Sequence, residues 1–169
     1  MTDPPRCCIL TISDRCSAGE ATDTAGPAVS AVLRDDLRGH IEHTAIVPDD
    51  AGRIEQMLRG WLAADPPCEL IITVGGTGLG PRDITPEVVG RLIQRDAPGM
   101  MELARARCCA RTPLAALSRG VAGIHGRTLI ITLPGSQRGA VETLQAMTDV
   151  IPHALEILRG GGHDGPHYA

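Results

Sequence analysis

The most constraining feature of this chain is a six-residue run, Glu-Leu-Ile-Ile-Thr-Val at 69–74, that scarcely alternates between polar and apolar. A strand with one wet face would alternate, so this run needs cover on both faces. Strand-like segments also lie at residues 7–12, 41–47 and 127–133. Helical spacing separates the first three. Val29, Val32, Leu33 and Leu37 follow Pro27, which suits a first helical turn. Ile54, Met57, Leu58, Trp61 and Leu62 fall at i, i+3, i+4, i+7 and i+8, before Pro66-Pro67 closes the region. Strand, helix, strand, helix, strand predicts a parallel sheet with helices on both faces.

The second half continues the pattern with one change. A helix is expected from Pro86 through Val88, Leu92 and Ile93, and another from Pro98 through residues 100–111. Segments 121–124 and 127–133 flank His125-Gly126, a hairpin signal, so one antiparallel pairing joins an otherwise parallel sheet. Val141 and Leu144, then Ile151, Ala154, Leu155 and Leu158, mark the last helical stretches. The fold class is α/β. Residues 1–159 are expected to form one domain, and residues 160–169, opened by three glycines, a flexible tail.

Composition narrows the function. The chain has no Phe, one Trp and one Tyr, so the core must be aliphatic. It lacks the stacking aromatics and basic balance of a nucleic-acid reader, and its net charge is −4. Every basic residue is Arg, which excludes a Walker lysine and a lysine nucleophile. Any phosphate chemistry must use backbone N–H groups, Arg and metal ions. The six cysteines show no C-x-x-C spacing, and no run is long enough to span a membrane. The expectation is a cytoplasmic protein with reduced thiols.

In a parallel sheet, ligands bind beyond the carboxyl ends of the strands. The loops there are Ser13-Asp14-Arg15, Pro48-Asp49-Asp50, Gly75-Gly76-Thr77-Gly78 and Pro134-Gly135-Ser136. The third continues Leu79-Gly80-Pro81-Arg82-Asp83-Ile84-Thr85-Pro86-Glu87. Its glycines let main chain approach a ligand and turn N–H groups toward an anion, although glycines alone also make an ordinary turn. Thr85 is placed to cap the next helix and Pro86 to open it. Asp14, Asp49 and Asp83 at three strand ends would repel unless a cation or basic group sits among them, and Mg²⁺ is the simplest hard cation. Asp49 or Asp50 could equally cap the helix bearing Ile54.

These residues together resemble the MogA/MoaB family of molybdenum cofactor biosynthesis proteins, which includes the gephyrin G domain. The likeness rests on residues 11–15, Asp23, Pro48-Asp49-Asp50, the segment 73–87, Ala97-Pro98-Gly99, Ser118-Arg119 and residues 133–136. It implies a three-layer α/β fold, a homotrimer, and transfer of AMP from Mg-ATP to molybdopterin with release of pyrophosphate. A non-catalytic molybdopterin-binding relative is the alternative within the family, and a flavodoxin-like phosphate-binding regulator the alternative outside it. By position, the resemblance makes Asp49 and Asp83 the catalytic and Mg²⁺-holding pair. It makes Ser13, Asp14, Gly75, Gly76, Thr77, Gly78, Thr85, Ser118, Pro134, Gly135 and Ser136 ligand-binding positions. It also implies hand-over of the product to a molybdenum-insertion protein. Gln137 and Arg138 stand where the family often has Pro and Lys, which leaves the role of Arg138 open. Cys16 is not expected to be a nucleophile, Asp50 has no catalytic part, and Cys108-Cys109 is read as core or subunit contact. His163 and His167 are not read as a metal site.

Overall fold

The structure is a computed structural model and describes residues 3–161. Six strands form one sheet in the order β2-β1-β3-β6-β5-β4. They are β1 (Arg6–Ile12), β2 (His40–Val47), β3 (Leu70–Val74), β4 (Arg95–Asp96), β5 (Ala122–His125) and β6 (Thr128–Leu133). β2, β1, β3 and β6 run parallel, while β5 turns back against β6 and β4 against β5. The hairpin through His125-Gly126 forms as expected, and Gly126 takes the left-handed φ of +57° that its turn requires.

All five residues of β3 are buried, because the sheet is covered on both sides. One face of β1 and β3, carrying Cys7, Ile9, Leu70 and Ile72, packs against α2 (Ala25–Asp35), α5 (Pro98–Cys109), α6 (Gln137–Gln145) and α7 (Ile151–Leu158). The other, carrying Cys8, Leu10, Ile12 and Ile71, packs against α3 (Ala51–Leu62) and α4 (Thr85–Leu92). The result is a three-layer α/β/α sandwich with an aliphatic interior. Each fully buried Leu or Ile contributes about 1.5–3 kcal/mol relative to exposure. Trp61 packs at the edge of the second layer, its ring stacked on His43 at 6.3 Å.

Local chemistry explains the helix starts. Asp50 caps α3, its Oδ1 accepting from Arg53 N at 2.9 Å. Asp23 holds the start of α2 with Oδ1 on the N–H groups of Ala25 and Gly26, and Oδ2 accepts from Thr11 Oγ1 at 2.6 Å. Three elements escaped the sequence pattern: the short helix α1 (Asp14–Ser17), inside what reads as a loop, the two-residue β4, and the 3-10 turn Pro113–Leu117. One expectation is corrected. Cys8 and Cys68 are joined by a disulfide, so not all thiols are free. They lie 60 residues apart, and only the register of β1 beside β3 brings them together. Gly160 and Gly161 hydrogen-bond back to α7, through Ile157 O and Glu156 O. The rest of the expected tail, with His163 and His167, lies outside the described residues. Among the described residues, no helix is long and apolar enough to cross a membrane.

Candidate active site

Parallel strands bring their following loops to one edge. Ser13 N donates to Val47 O, and Gly75 N to Leu133 O, which ties the loop starts together in two pairs. Beside them opens a cleft of about 530 Å³. Its floor is Gly76, Thr77, Gly78 and Asp83 on one side and Pro134, Gly135 and Ser136 on the other. Its wall comes from α5 and the 3-10 turn Pro113–Leu117, with Met101, Leu114 and Leu117 supplying apolar surface. Ser118, Arg105 and Arg138 complete the rim. An apolar wall with a few convergent polar groups suits a small organic ligand bearing a charged end.

The glycine turn is held from within. A methyl group on Gly75 would stand 2.1 Å from Ile12 O, and Gly75 has φ +113°. One on Gly76 would stand 2.3 Å from Thr85 Oγ1 and 3.2 Å from Asp49 Oδ1, and one on Gly78 2.9 Å from Asp83 Oδ2. These glycines are therefore needed first for the chain's own packing, before any ligand approaches. Asp83 Oδ2 accepts from Gly80 N at 2.8 Å and so closes the turn. Arg119 fastens it from outside. Its Nε donates to Gly78 O at 2.7 Å, its other nitrogens reach Asp83 O and Glu87, and its own N–H meets Thr77 O. The Arg119 hydrogen bond holds the Glu87 carboxyl below the usual carboxylate range.

Asp49 and Asp14 grip each other through main chain. Asp14 N donates to Asp49 Oδ2, and Asp49 N to Asp14 Oδ1, both at 3.0 Å. Arg82 supplies the basic group that three neighbouring carboxylates require: its Nη2 lies 2.7 Å from Asp14 Oδ2 and donates to Asp49 O. Even so, Asp49 titrates above the usual range. Burial is the main cause, and the charges of Asp14 and Asp83 add to it against the Asp14 N–H and Arg82. Asp49 and Asp83 thus sense one another across the same glycine turn.

The expected ligand positions divide into two groups. Gly76, Thr77, Gly78, Asp83, Ser118, Pro134, Gly135 and Ser136 line the cleft. Ser13, Asp14, Asp49, Gly75 and Thr85 stand behind it. Ser13 caps α1 by accepting from Cys16 N, and Ser136 caps α6 by accepting from Gly139 N. Thr85 does not cap α4: its hydroxyl is buried with no hydrogen-bond partner, under Gly76. Sequence reasoning missed the part played by Arg119, the Arg82 bridge, and the wall from Met101, Leu114 and Leu117. The Ser118-Arg119 pair was visible, but nothing local links it to a turn 41 residues earlier.

The comparisons with known proteins agree in direction. A family model described as a probable molybdopterin binding domain matches residues 8–153. The chain is 37% identical over 150 residues to the molybdenum cofactor synthesis protein cinnamon of Drosophila melanogaster, covering 89% of this chain and 25% of that protein. It is 39% identical over 153 residues to the molybdopterin adenylyltransferase of Helicobacter pylori strain J99, covering 90% of this chain and 86% of that one. It thus spans about a quarter of the first relative and most of the second. Among solved structures, the molybdopterin biosynthesis enzyme MoaB of Thermus thermophilus superposes with a TM-score of 0.86 at 46% identity, over 92% of this chain and 97% of that one.

Proposed function

The chain belongs to the MogA/MoaB family of molybdenum cofactor biosynthesis proteins, and from that premise we propose that it is a molybdopterin adenylyltransferase. A phosphate oxygen of molybdopterin attacks the α-phosphorus of ATP. The bond from that phosphorus to the β-phosphate oxygen breaks, and pyrophosphate leaves. Such a reaction needs positioning and charge neutralisation more than a protein nucleophile. The observation that carries this reading is the placement of Asp49 and Asp83 against one glycine turn beside the cleft.

The residues have separate duties. The cleft between Thr77, Ser118 and Gly135 takes the pterin against the apolar wall. The amino end of α6, capped by Ser136, favours an anionic group, while Arg138, also on the cleft, is paired with Glu142 one turn along the helix. Asp49 and Asp83 suit Mg²⁺. They do not form a three-carboxylate cage, and Mg²⁺ typically takes one or two carboxylates plus substrate phosphates. When bound, the ion neutralises phosphate charge. The Asp14 carboxylate and Arg82 fix the Asp49 main chain, and Arg119 fixes that of Asp83. We further place the protein in the cytoplasm as a homotrimer that passes its product to a molybdenum-insertion protein.

The test is incubation with molybdopterin, Mg²⁺ and ATP labelled at the α-phosphate, followed by detection of AMP on the pterin. Asp49→Ala and Asp83→Asn should each lower transfer about 10²-fold while the fold survives. Pterin binding without transfer in the parent would make it a non-catalytic binding protein. No binding at all, or a monomer by light scattering with no pterin affinity, would end the reading.

A further inference from the structure

At the opposite edge of the sheet lies a second cluster of reactive side chains. Cys8 and Cys68 are 0% and 1% exposed, and the Glu42 carboxylate reaches the same point. Among the described residues this is the one group of three metal-capable side chains with ligand atoms all within 4.8 Å of one another. The three come from three different segments: β1, β2 and the approach to β3. Glu42 arrives by a register break, since Cys7 pairs with Ile41 while Cys8 pairs with His43. Glu42 is the extra residue of a bulge, a device that re-aims a side chain. Its two oxygens are differently engaged. Oε1 lies 3.6 Å from Arg6 Nε, and Oε2 lies 3.8 Å from Cys68 Sγ. Cys68 is itself pinned, its carbonyl accepting from Thr128 Oγ1 at 2.7 Å.

We propose that the reduced chain binds one divalent cation of the zinc type between Cys8, Cys68 and Glu42. Where thiols stay reduced, paired cysteines serve more often as ligands than as cross-links. Reduction by a phosphine and water opens the disulfide to two thiols and leaves the phosphine oxide. Binding then releases two protons to solvent. Two thiolates, one carboxylate, the Arg6 guanidinium and a divalent cation sum to zero charge, which a buried site favours. Two metal–sulfur bonds of about 2.3 Å at a tetrahedral angle place the sulfurs roughly 3.7 Å apart. The Cα atoms, 6.4 Å apart, lie within the span that two cysteine side chains and one ion can bridge. Water supplies the fourth ligand through the Glu42 side, whose side chain is 24% exposed.

This site is separate from the candidate active site. Cys8 lies near the start of β1, whereas the active-site loops follow its end; five residues of strand span roughly 17 Å. The cation therefore pins β1, β2 and β3 at their amino ends and takes no part in AMP transfer.

The experiment uses the full chain, reduced with a phosphine until a denatured aliquot titrates six thiols, then given Co²⁺. One equivalent should bind with a thiolate-to-cobalt charge-transfer band, be displaced by Zn²⁺, and raise the thermal midpoint. Cys68→Ser and Cys8→Ser should lose the band, while Cys16→Ser keeps it. Glu42→Gln, which leaves both thiols and the fold, should weaken Co²⁺ binding at least tenfold. No band in the fully reduced parent, a band that survives Cys68→Ser, or unchanged affinity in Glu42→Gln would overturn the proposal.

Discussion

Arg119→Met tests whether the glycine turn depends on its external clamp. The substitution keeps the aliphatic length and removes the guanidinium that meets Gly78 O, Asp83 O and Glu87. Hydrogen bonds from a charged donor contribute about 1.5–3 kcal/mol each when fully buried. Here the Glu87 side chain is 53% exposed, so that pair contributes only about 0–1 kcal/mol. Water can also reach the freed carbonyls in part. The net loss is about 2–3 kcal/mol, which for a chain of this size lowers the thermal midpoint by roughly 5–10 °C. The functional cost should be larger in proportion. Asp83 rides on the same turn, and a 1 Å misplacement of a reacting group can cost about 10²-fold in rate. Arg119→Lys should recover part of the stability but little of the rate, because a point charge cannot hold two carbonyls as a planar fork does. The assays are thermal unfolding and AMP transfer from α-labelled ATP, run on both variants. A Met variant that transfers AMP at the parental rate would refute the reasoning, whatever its midpoint.

Three further outcomes are expected. Gly75→Ala should destabilise by about 2–5 kcal/mol, from a backbone region reserved for glycine together with a collision on the Ile12 carbonyl. Gly90→Ala, in α4 with nothing within 4 Å, should stabilise by about 0.4–1 kcal/mol; urea unfolding giving equal values for the two would contradict the close approach at Gly75. Burial works to raise the Glu69 carboxyl, but hydrogen bonds from Arg159 and the Arg6 N–H prevail and hold it below its usual range. A carboxyl depressed on folding contributes stability above its unfolded value near ~4.3 and loses it as pH falls through the folded value. Glu69→Gln should therefore be less stable than the parent at pH 7 by a margin that shrinks on acidification, and a margin constant from pH 7 to 3 would count against the ion pair.

Much of this was legible in the sequence because it is written in local pattern. The unbroken run at 69–74, the spacing from Ile54 to Leu62, and His125-Gly126 each specify their element from neighbouring residues alone. Placing Asp49 and Asp83 at one edge needed only the rule that parallel strands share a direction. What stayed hidden is set at long range. β4 is two residues long and exists because β5 offers it a partner. Thr85 has the composition of a cap, yet the turn folds over it and leaves its hydroxyl buried against Gly76. Arg119 and the Cys8–Cys68 pair act across 41 and 60 residues, where no spacing rule reaches. The cleft wall likewise belongs to α5 and the turn after it, which the strand-end rule does not address.

The glycine turn already has its hydrogen bonds in place, Gly80 to Asp83 within it and Arg119 to Gly78 and Gly75 to Leu133 from its surroundings. Nothing in it waits for a substrate to become ordered. An arriving nucleotide would meet donors set in advance, so none of its binding energy is diverted into shaping the receptor. Recognition would then resemble a key entering a cut lock. Amide exchange at Gly75 and Asp83, whose N–H groups are already bonded to Leu133 O and Gly80 O, should be slow in the free protein and scarcely slower with ligand.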